Sequence, residues 1–462
     1  MTTDLTRNLG VAGIVLMVVA AAAPVTVVVA NFPIILLESG SVGAPLLILA
    51  ATVILLLFAA GFTWMTPYVP DAGAFYAYVD RGLGHRAGLG TAALALLSYA
   101  LLTVSMTCYL GVQAGNLVEA WSGAELPWWL VSAVMILVVA LLGYRQIDLS
   151  AKVLGVVLVL EILTVVAIDV GVLISGGGVS AAPFAPAEAL SGAPGLGLLF
   201  AFLGFFGFEA TAVFRQEAKD PLRTVPRATY IAVILIGVLY TVSAWLVISG
   251  LGAGHAVEAA TANPDGVIVA LAGDVVAPIV GHIVQALVVT SMFACMLAFH
   301  NIVARYLFTL GRRGVLPTAL GQAHARHRAP SRASLWVSIV TAAIVVVSAL
   351  AQLDPVVEIY TWYSGAGAVG VILMMALTSI AVVRFALGRR GEGVPAAMLA
   401  ATILGGLGLL AVLAISLVNF PLLVGGISAA ITWGAILALV FVAGFLAPTL
   451  WRGPTDAGTL KP

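Results

Sequence analysis

The sequence contains little charge and almost no cysteine. Charged residues make up 9% of its 462 positions, whereas hydrophobic residues make up 62%. So few charged side chains cannot cover the surface of a water-soluble protein of this length, which excludes an ordinary soluble domain. The two cysteines, Cys108 and Cys295, lie inside apolar segments. Neither a disulfide framework nor a cysteine-rich metal site is therefore predicted.

Net charge and catalytic signatures are also missing. Twenty Lys and Arg residues balance twenty Asp and Glu residues, so a nucleic-acid partner is not expected. The chain lacks the Gly-x-x-x-x-Gly-Lys-Ser/Thr phosphate loop and the His-Glu-x-x-His and Gly-x-Ser-x-Gly signatures. We expect no catalytic residue, no metal and no cofactor, and any energy must come from gradients rather than from ATP.

Long apolar segments are what the chain has in abundance. Twelve such spans, of about the length that crosses a hydrocarbon core roughly 30 Å thick, are separated by polar connections. They cover residues 11–37, 44–64, 88–118, 127–144, 153–174, 195–214, 228–250, 276–304, 334–352, 359–383, 395–418 and 422–448. The connections are too short for a separate soluble domain. The chain is therefore predicted to be one all-α membrane domain with twelve transmembrane helices.

The distribution of positive charge predicts the orientation. If connection n follows span n, every Lys and Arg lies before span 1, in an even-numbered connection or in the tail, and odd-numbered connections contain none. Because Lys and Arg favour the cytoplasmic side, both termini are predicted to be cytoplasmic, in a multi-pass protein of the plasma (inner) membrane. The basic cluster at residues 312–332 is expected to contact anionic lipid headgroups.

Two spans contain residues that interrupt helices. Span 1 carries Pro24 among small side chains, and because proline lacks an N–H, an interruption is predicted near residues 20–25. Span 6 carries Gly204 and Gly207 around two phenylalanines, followed by Glu209, which predicts a second interruption. Alternatively, the proline only kinks span 1 and the glycines only permit close helix packing.

Two interruptions in one bilayer predict an enclosed polar pocket, because unpaired backbone must be buried in protein or line a wet cavity. Half-helix N-termini suit an anion and half-helix C-termini suit a cation, so a zwitterion is an expected ligand. The interrupted spans are the first and the sixth, which predicts a 5+5 inverted repeat. The first repeat covers 11–174 and the second covers 195–383, followed by spans 11 and 12 at 395–448 and a cytoplasmic tail at 449–462.

Several short motifs occur in a characteristic order. They are Gly73–Tyr78 before Gly82–Gly84, Gly207–Glu209, Gln216–Pro221 with Val225–Ala228, Asn301 with Arg305, and Gly314–Pro317. With these motifs the chain resembles the amino acid-polyamine-organocation superfamily of secondary transporters over essentially its whole length. The resemblance implies an amino acid permease that works by alternating access. Many members carry a Gly-Ser-Gly type stretch where span 1 unwinds, whereas this chain has Ala-Ala-Pro-Val-Thr, which predicts a differently shaped pocket.

The resemblance also implies a binding site for a small amino acid or related amine at the midplane, between spans 1, 3, 6, 8 and 10. The expected substrate-binding residues are Ala21, Ala22, Ala23, Val25, Thr26, Gly204, Phe205, Phe206, Gly207 and Phe208. Structural or gating roles are expected for Pro24 and Glu209, and Phe206 or Phe208 is a candidate gate. No additional buried acid marks a pocket for a dication, so a neutral zwitterion is favoured over a polyamine.

Glu161 lies near the middle of span 5, where an ionised carboxylate is costly. We expect it to exchange a proton and so to couple transport to a proton gradient. Several proton-coupled relatives place a lysine at what looks like this position. Two other roles are open: an oxygen ligand for Na⁺, or an acceptor for the hydroxyl of Thr290 or Ser291 in span 8. Asp169, two turns nearer the odd-numbered connections, is expected to remain hydrated.

Other functions compatible with this sequence are an exchanger or a polyamine or organocation permease without proton coupling. A membrane-embedded enzyme would need acids or histidines that converge at one place, and the buried acids are scattered over two spans. A channel would need a continuous polar stripe, which the spans lack. His282 and His300 are expected to be packing residues.

Overall fold

The computed structural model describes residues 10–69, 74–145, 151–209, 211, 218–312, 314–324, 329–389, 391 and 393–450. Within these ranges the chain forms helices joined by turns, so the predicted all-α class is confirmed. A bilayer offers no partner for an unpaired backbone group, which is why apolar segments of this length become helices. Residues 1–9, residues 216 and 217 of the predicted Gln216–Pro221 motif and the tail beyond residue 450 lie outside the described residues.

The α-helices are α1 Val11–Ala22, α2 Pro24–Thr26, α3 Phe32–Ser39, α4 Ala44–Met65, α5 Ala74–Leu83, α6 His85–Ser122, α7 Trp128–Arg145, α8 Ala151–Ile174, α9 Pro186–Ala189, α10 Pro194–Leu203, α11 Pro221–Leu251, α12 Ala256–Ala262, α13 Val267–Val275, α14 Pro278–Arg312, α15 Ser331–Leu350, α16 Thr361–Leu387, α17 Ala396–Val418, α18 Phe420–Leu423 and α19 Ile427–Leu450. Short 3₁₀-helices cover Thr66–Tyr68, Ala182–Phe184 and Thr318–Gly321, and π-helices cover Val27–Asn31 and Pro355–Tyr360.

Ten helical segments of the described chain are long and apolar enough to cross a membrane. Two shorter apolar helices, Trp128–Tyr144 and Pro194–Leu203, occupy the places of predicted spans 4 and 6. Some predicted limits were too narrow, since α6 runs from His85 to Ser122 rather than from 88 to 118. Polar residues at its ends continue the helix beyond the hydrocarbon, so hydropathy marks the middle of a helix better than its termini.

Hydrogen bonds between connections show which of them lie together. The N–H of Ala193, in connection 5, donates to the carbonyl oxygen of Ser39, at the start of connection 1, over 2.8 Å. The hydroxyl of Tyr144, at the end of span 4, lies 3.3 Å from Nε2 of His324 in connection 8. Connections 1 and 5 therefore share one face, and connections 4 and 8 share the other. We call these the odd face and the even face.

Helix α6 lies at the centre of the bundle and packs against α14, α16 and α19. Its contact with α16 depends on glycine. A Cβ at Gly370 would lie 2.0 Å from Ser98 Oγ, and a Cβ at Gly367 would lie 3.0 Å from the Ser98 carbonyl oxygen. Because glycine leaves this space open, the two backbones approach closely. Predicted span 3 is thus a neighbour of predicted spans 8 and 10.

Span 1 is interrupted at Ala23, within the range that the sequence predicts. Helix α1 ends at Ala22, and Ala23 has φ 50° and ψ 69°, which is the left-handed conformation. The chain becomes helical again at Pro24, at a first helical position where no N–H is needed. It continues through the Val27–Asn31 π-helix into α3.

The left-handed conformation of Ala23 is testable, because it costs a non-glycine residue roughly 1–2 kcal/mol. Ala23→Gly removes this strain and also a buried methyl group worth about 0.8 kcal/mol, so its unfolding free energy should stay within about 1 kcal/mol of the parent. Ala23→Val places a β-branched residue at positive φ and should destabilise the fold by about 1–3 kcal/mol. Thermal unfolding in detergent measures both. Equal stability of the two variants would contradict the left-handed conformation.

Span 6 is interrupted after Leu203, where α10 ends. Residues 204–209 form consecutive turns in which the N–H groups of Phe205, Phe206 and Phe208 donate to carbonyl oxygens three residues back, over 3.0, 3.2 and 3.2 Å. Gly207 has φ 107°, a conformation that glycine adopts readily and other residues rarely do. The second predicted interruption thus has a defined structure, and its glycine is required by the backbone itself.

Candidate functional site at the two helix interruptions

The two interrupted spans are linked directly. Asn31, at the end of the π-helix of span 1, donates from Nδ2 to the carbonyl oxygen of Phe200 in α10 over 2.8 Å. A Cβ at Gly204 would lie 3.1 Å from Cγ1 of Val27 and 3.3 Å from the ring of Tyr240. The interruptions therefore lie side by side, as a shared binding site requires. The sequence around Asn31 gives no sign of this contact.

The predicted substrate-binding residues are enclosed by protein. The side chain of Ala21 lies outside the described residues, and the others are buried. They are Ala22, Ala23, Val25, Thr26, Gly204, Phe205, Phe206, Gly207 and Phe208. Apart from the Thr26 hydroxyl, their side chains are apolar. The walls of the site therefore suit an apolar ligand body.

Two buried oxygen atoms in span 1 lack a hydrogen-bond partner within the described residues. They are Thr26 Oγ1 and Asn31 Oδ1. Each side chain is only 3% exposed. An unpaired buried polar group is costly, so such atoms call for an explanation. A donor group of a ligand placed at either atom would satisfy it.

Glu161 joins three elements at the first interruption. Its Oε2 accepts from the N–H of Val25 over 3.3 Å and from Oγ of Ser291, in α14, over 3.0 Å. The side chain is 4% exposed. Two hydroxyls of span 8 were candidate donors to Glu161. Ser291 donates to its carboxylate, whereas Thr290 donates to the carbonyl oxygen of Leu287. The carboxyl group of α8 is therefore in contact with the broken part of span 1.

Glu209 stabilises the second interruption by two hydrogen bonds. Its Oε2 accepts from the N–H of Gly207 over 3.0 Å, and its Oε1 accepts from the hydroxyl of Tyr99 in α6. This is the capping of a freed amide that its position beside the interruption suggests. The carboxyl group also anchors the interruption to the central helix. Tyr99 is a second residue whose contribution the sequence did not reveal.

An aromatic layer lies between the interruption of span 6 and the even face. The ring of Phe208 packs against Phe58, Phe62 and Phe75, with centroids 6.0, 6.5 and 6.5 Å away. Further toward the even face, the hydroxyl of Tyr78 lies 2.8 Å from Thr66 Oγ1. These contacts close the site from that side.

The odd side is also closed. Tyr109 of α6 packs against Tyr360, with ring centroids 4.7 Å apart. Connection 7 reaches the same place, where Nε2 of Gln113 lies 3.5 Å from the carbonyl oxygen of Asp265. Burial raises the pKa of the Asp265 carboxyl, and nearby Asp354 acts in the same direction. The site between the interruptions is thus covered on both sides.

Asp169 is buried, whereas the sequence-based prediction places it in contact with water. Its side chain is 7% exposed, and its Oδ2 accepts from Oγ of Ser243 over 2.7 Å. The reason is that α11 packs against α8 at this level, which hydropathy alone does not reveal. His300 is also buried and its Nε2 lies 2.8 Å from Ser334 Oγ, as expected of a packing residue.

Two interrupted spans that face each other beside a buried acid define a class of membrane protein, because this arrangement binds small solutes within the bilayer. A family model described as "Amino acid permease" matches residues 9–446, and the chain belongs to this family, within the amino acid-polyamine-organocation superfamily. It is therefore a transporter and not an enzyme.

Three relatives illustrate the family. The chain is 28% identical over 277 residues to the branched-chain amino acid permease BcaP of Lactococcus lactis subsp. cremoris (strain MG1363), covering 59% of this chain and 56% of the relative. It is 24% identical over 331 residues to the chloroplastic cationic amino acid transporter 6 of Arabidopsis thaliana, covering 67% and 55%. It is 21% identical over 290 residues to the low-affinity putrescine importer PlaP of Escherichia coli (strain K12), covering 61% and 62%. The chain thus spans little more than half the length of these relatives, whose names denote three substrate classes.

Proposed function

We propose that this chain is a twelve-span secondary transporter that moves a small neutral amino acid, or a related amine, across the plasma membrane by alternating access. Its first five spans (11–174) and the next five (195–383) form an inverted repeat, followed by spans at 395–448 and the tail at 449–462. The even face and both termini are cytoplasmic, because all Lys and Arg residues belong to that side.

The chemistry of the site supports a neutral zwitterion. The Phe and Val side chains at the interruptions suit an apolar substrate side chain, while Thr26 and Asn31 offer unpaired oxygens to a polar group. The two acids at the interruptions, Glu161 and Glu209, already accept two hydrogen bonds each. We take both acids as supports of the interruptions and therefore favour a neutral zwitterion over a dication. Of the three relatives, the branched-chain amino acid permease has the substrate class that fits these walls best.

The observation that carries the proposal is the contact of Glu161 with the interruption of span 1. Protonation of Glu161 removes a charge that the Val25 N–H and the Ser291 hydroxyl stabilise. Proton binding and the geometry of the interruption are therefore linked, and a ligand that alters one alters the other. We propose that Glu161 carries the coupled proton by this linkage.

Alternating access requires each side of the site to open in turn. We propose that the Phe208 layer opens toward the even face and that the Tyr109–Tyr360 contact opens toward the odd face. Both are packing contacts between rings and involve no salt bridge, so tilting of the interrupted spans can separate them without unpairing buried charges.

The test is uptake into proteoliposomes that contain the purified protein. With an acidic exterior, leucine or valine should accumulate above equilibrium, with saturable kinetics, and a protonophore should abolish the accumulation. Putrescine and arginine should not accumulate. Uptake that requires internal amino acid but no proton gradient would instead identify an exchanger, and non-saturable flux would contradict a carrier.

A further inference from the structure

A groove lies on the even face, where connection 8 folds over the start of α15. Its volume is about 490 Å³, which is within the range of small-molecule sites. It is lined by Pro317, Ala319, Leu320, Arg332, Leu335 and Trp336. The groove is distant in sequence from the two interruptions and contains none of the predicted substrate-binding residues. The transport proposal therefore leaves it without a role.

The walls of the groove are built by specific contacts. Connection 8 turns back at the end of α14, where the Val315 N–H donates to the Leu310 carbonyl oxygen over 3.0 Å. Its backbone then touches that of α14, since a Cβ at Gly311 would lie 2.5 Å from the N atom of Gly321. Nη1 of Arg332 donates to Oε1 of Gln322 over 2.5 Å. The guanidinium is thus held beside the apolar wall.

An apolar stripe continues from the groove along α15. Its residues recur at spacings of three and four, so they lie on one side of the helix. They are Leu335, Trp336, Ile339, Val340, Val346, Val347 and Leu350, each between 46% and 80% exposed. Arg332 precedes them on the same side as the only charged residue of the stripe. One cation at the end of the apolar stripe is complementary to a phospholipid, because the cation can bind the headgroup while the stripe packs against an acyl chain.

The charge of the sequence that forms the groove favours an anionic headgroup. No Asp or Glu occurs between Asp274 and Asp354, although this stretch contains six Arg residues. By contrast, Arg223 on the same face lies 3.8 Å from the carboxylate of Asp220. Positive charge near Arg332 is therefore not balanced by neighbours in sequence, and basic pockets at this depth attract anionic lipid.

We propose that the groove binds one anionic phospholipid, with its phosphate at Arg332 and an acyl chain along the stripe of α15. Trp336 lies between the phosphate position and the acyl-chain position, as tryptophan does at membrane interfaces. This inference does not depend on the transported substrate or on proton coupling.

Native mass spectrometry of the detergent-purified protein tests the proposal by titration with phosphatidylglycerol and with phosphatidylcholine of identical acyl chains. One phosphatidylglycerol should bind in preference. Arg332→Gln should weaken its binding about fivefold, the loss expected for one Arg at an anionic surface. Arg223→Gln is the matched control and should leave binding unchanged, because its guanidinium lies outside the groove.

Two further measurements separate the headgroup from the chain. Trp336→Ala should weaken binding of phosphatidylglycerol while all positive charges remain. Glycerol phosphate without acyl chains should not compete, because the stripe contributes to binding. Equal affinity for both lipids, equal loss in the Arg332 and Arg223 variants, or full competition by glycerol phosphate would each overturn the proposal.

Discussion

Replacing Glu161 by Gln is expected to reduce proton-driven accumulation of substrate to background while counterflow exchange continues in part. Glutamine has nearly the same shape, and its carbonyl oxygen can still accept from the Val25 N–H or from Ser291 Oγ, but it cannot take up a proton. The interruption of span 1 therefore keeps its support while the coupling step is lost. Both activities are measured in the same proteoliposomes, once with a proton gradient and once with equal pH and internal substrate.

Ser291→Ala is the matched control for this experiment. It removes one of the two hydrogen bonds to Glu161 and leaves a carboxyl group that can be protonated. Accumulation should persist in this variant, at a lower rate. If the Glu161→Gln protein accumulates substrate like the parent, Glu161 is a structural acceptor and not the proton carrier. If accumulation by the parent protein requires Na⁺, the carboxylate serves as a cation ligand instead.

Removing the carboxyl group of Glu209 is expected to have the largest effect on stability. Glu209→Ala leaves the Gly207 N–H and the Tyr99 hydroxyl buried without their acceptor, and each such group costs roughly 1–3 kcal/mol. Transport should fall with stability, because the second interruption loses its anchor to α6. Thermal unfolding in detergent measures the first effect and uptake measures the second.

Two conservative variants make this prediction specific. Glu209→Gln retains an acceptor for one partner and should recover part of the stability. Tyr99→Phe removes the hydroxyl itself, so the Gly207 contact remains and the loss should be smaller than in Glu209→Ala. If all three variants unfold at the parental temperature, Glu209 does not hold the interruption.

The features that could be predicted from the sequence are those with a local cause. Pro24 removes a main-chain donor where it stands, and Gly207 permits a backbone conformation at its own position, so both interruptions were predictable. Glu161 was also conspicuous, because a carboxyl group in an apolar span is rare. Its partner Ser291 was one of two candidate donors in span 8, and the structure shows that Ser291 is the donor.

What the sequence did not reveal depends on contacts between distant segments. Tyr99 bonds a residue 110 positions away, Asn31 one 169 positions away, and Tyr240 donates to the Ala22 carbonyl oxygen across 218 positions. Nothing local in the chain specifies these pairs. The prediction that Asp169 remains hydrated was wrong for the same reason, since the packing of α11 against α8 buries this side chain.

The hydrogen bond between Asn31 and Phe200 constrains the two positions unequally within the family. The donor is a side-chain amide, whereas the acceptor belongs to the main chain. Any residue that keeps α10 helical can therefore replace Phe200 without loss of the acceptor, but only a side chain with a donor of similar reach can replace Asn31. Position 31 should vary little among transporters that share this connection, while position 200 can vary more widely as long as the helix is kept.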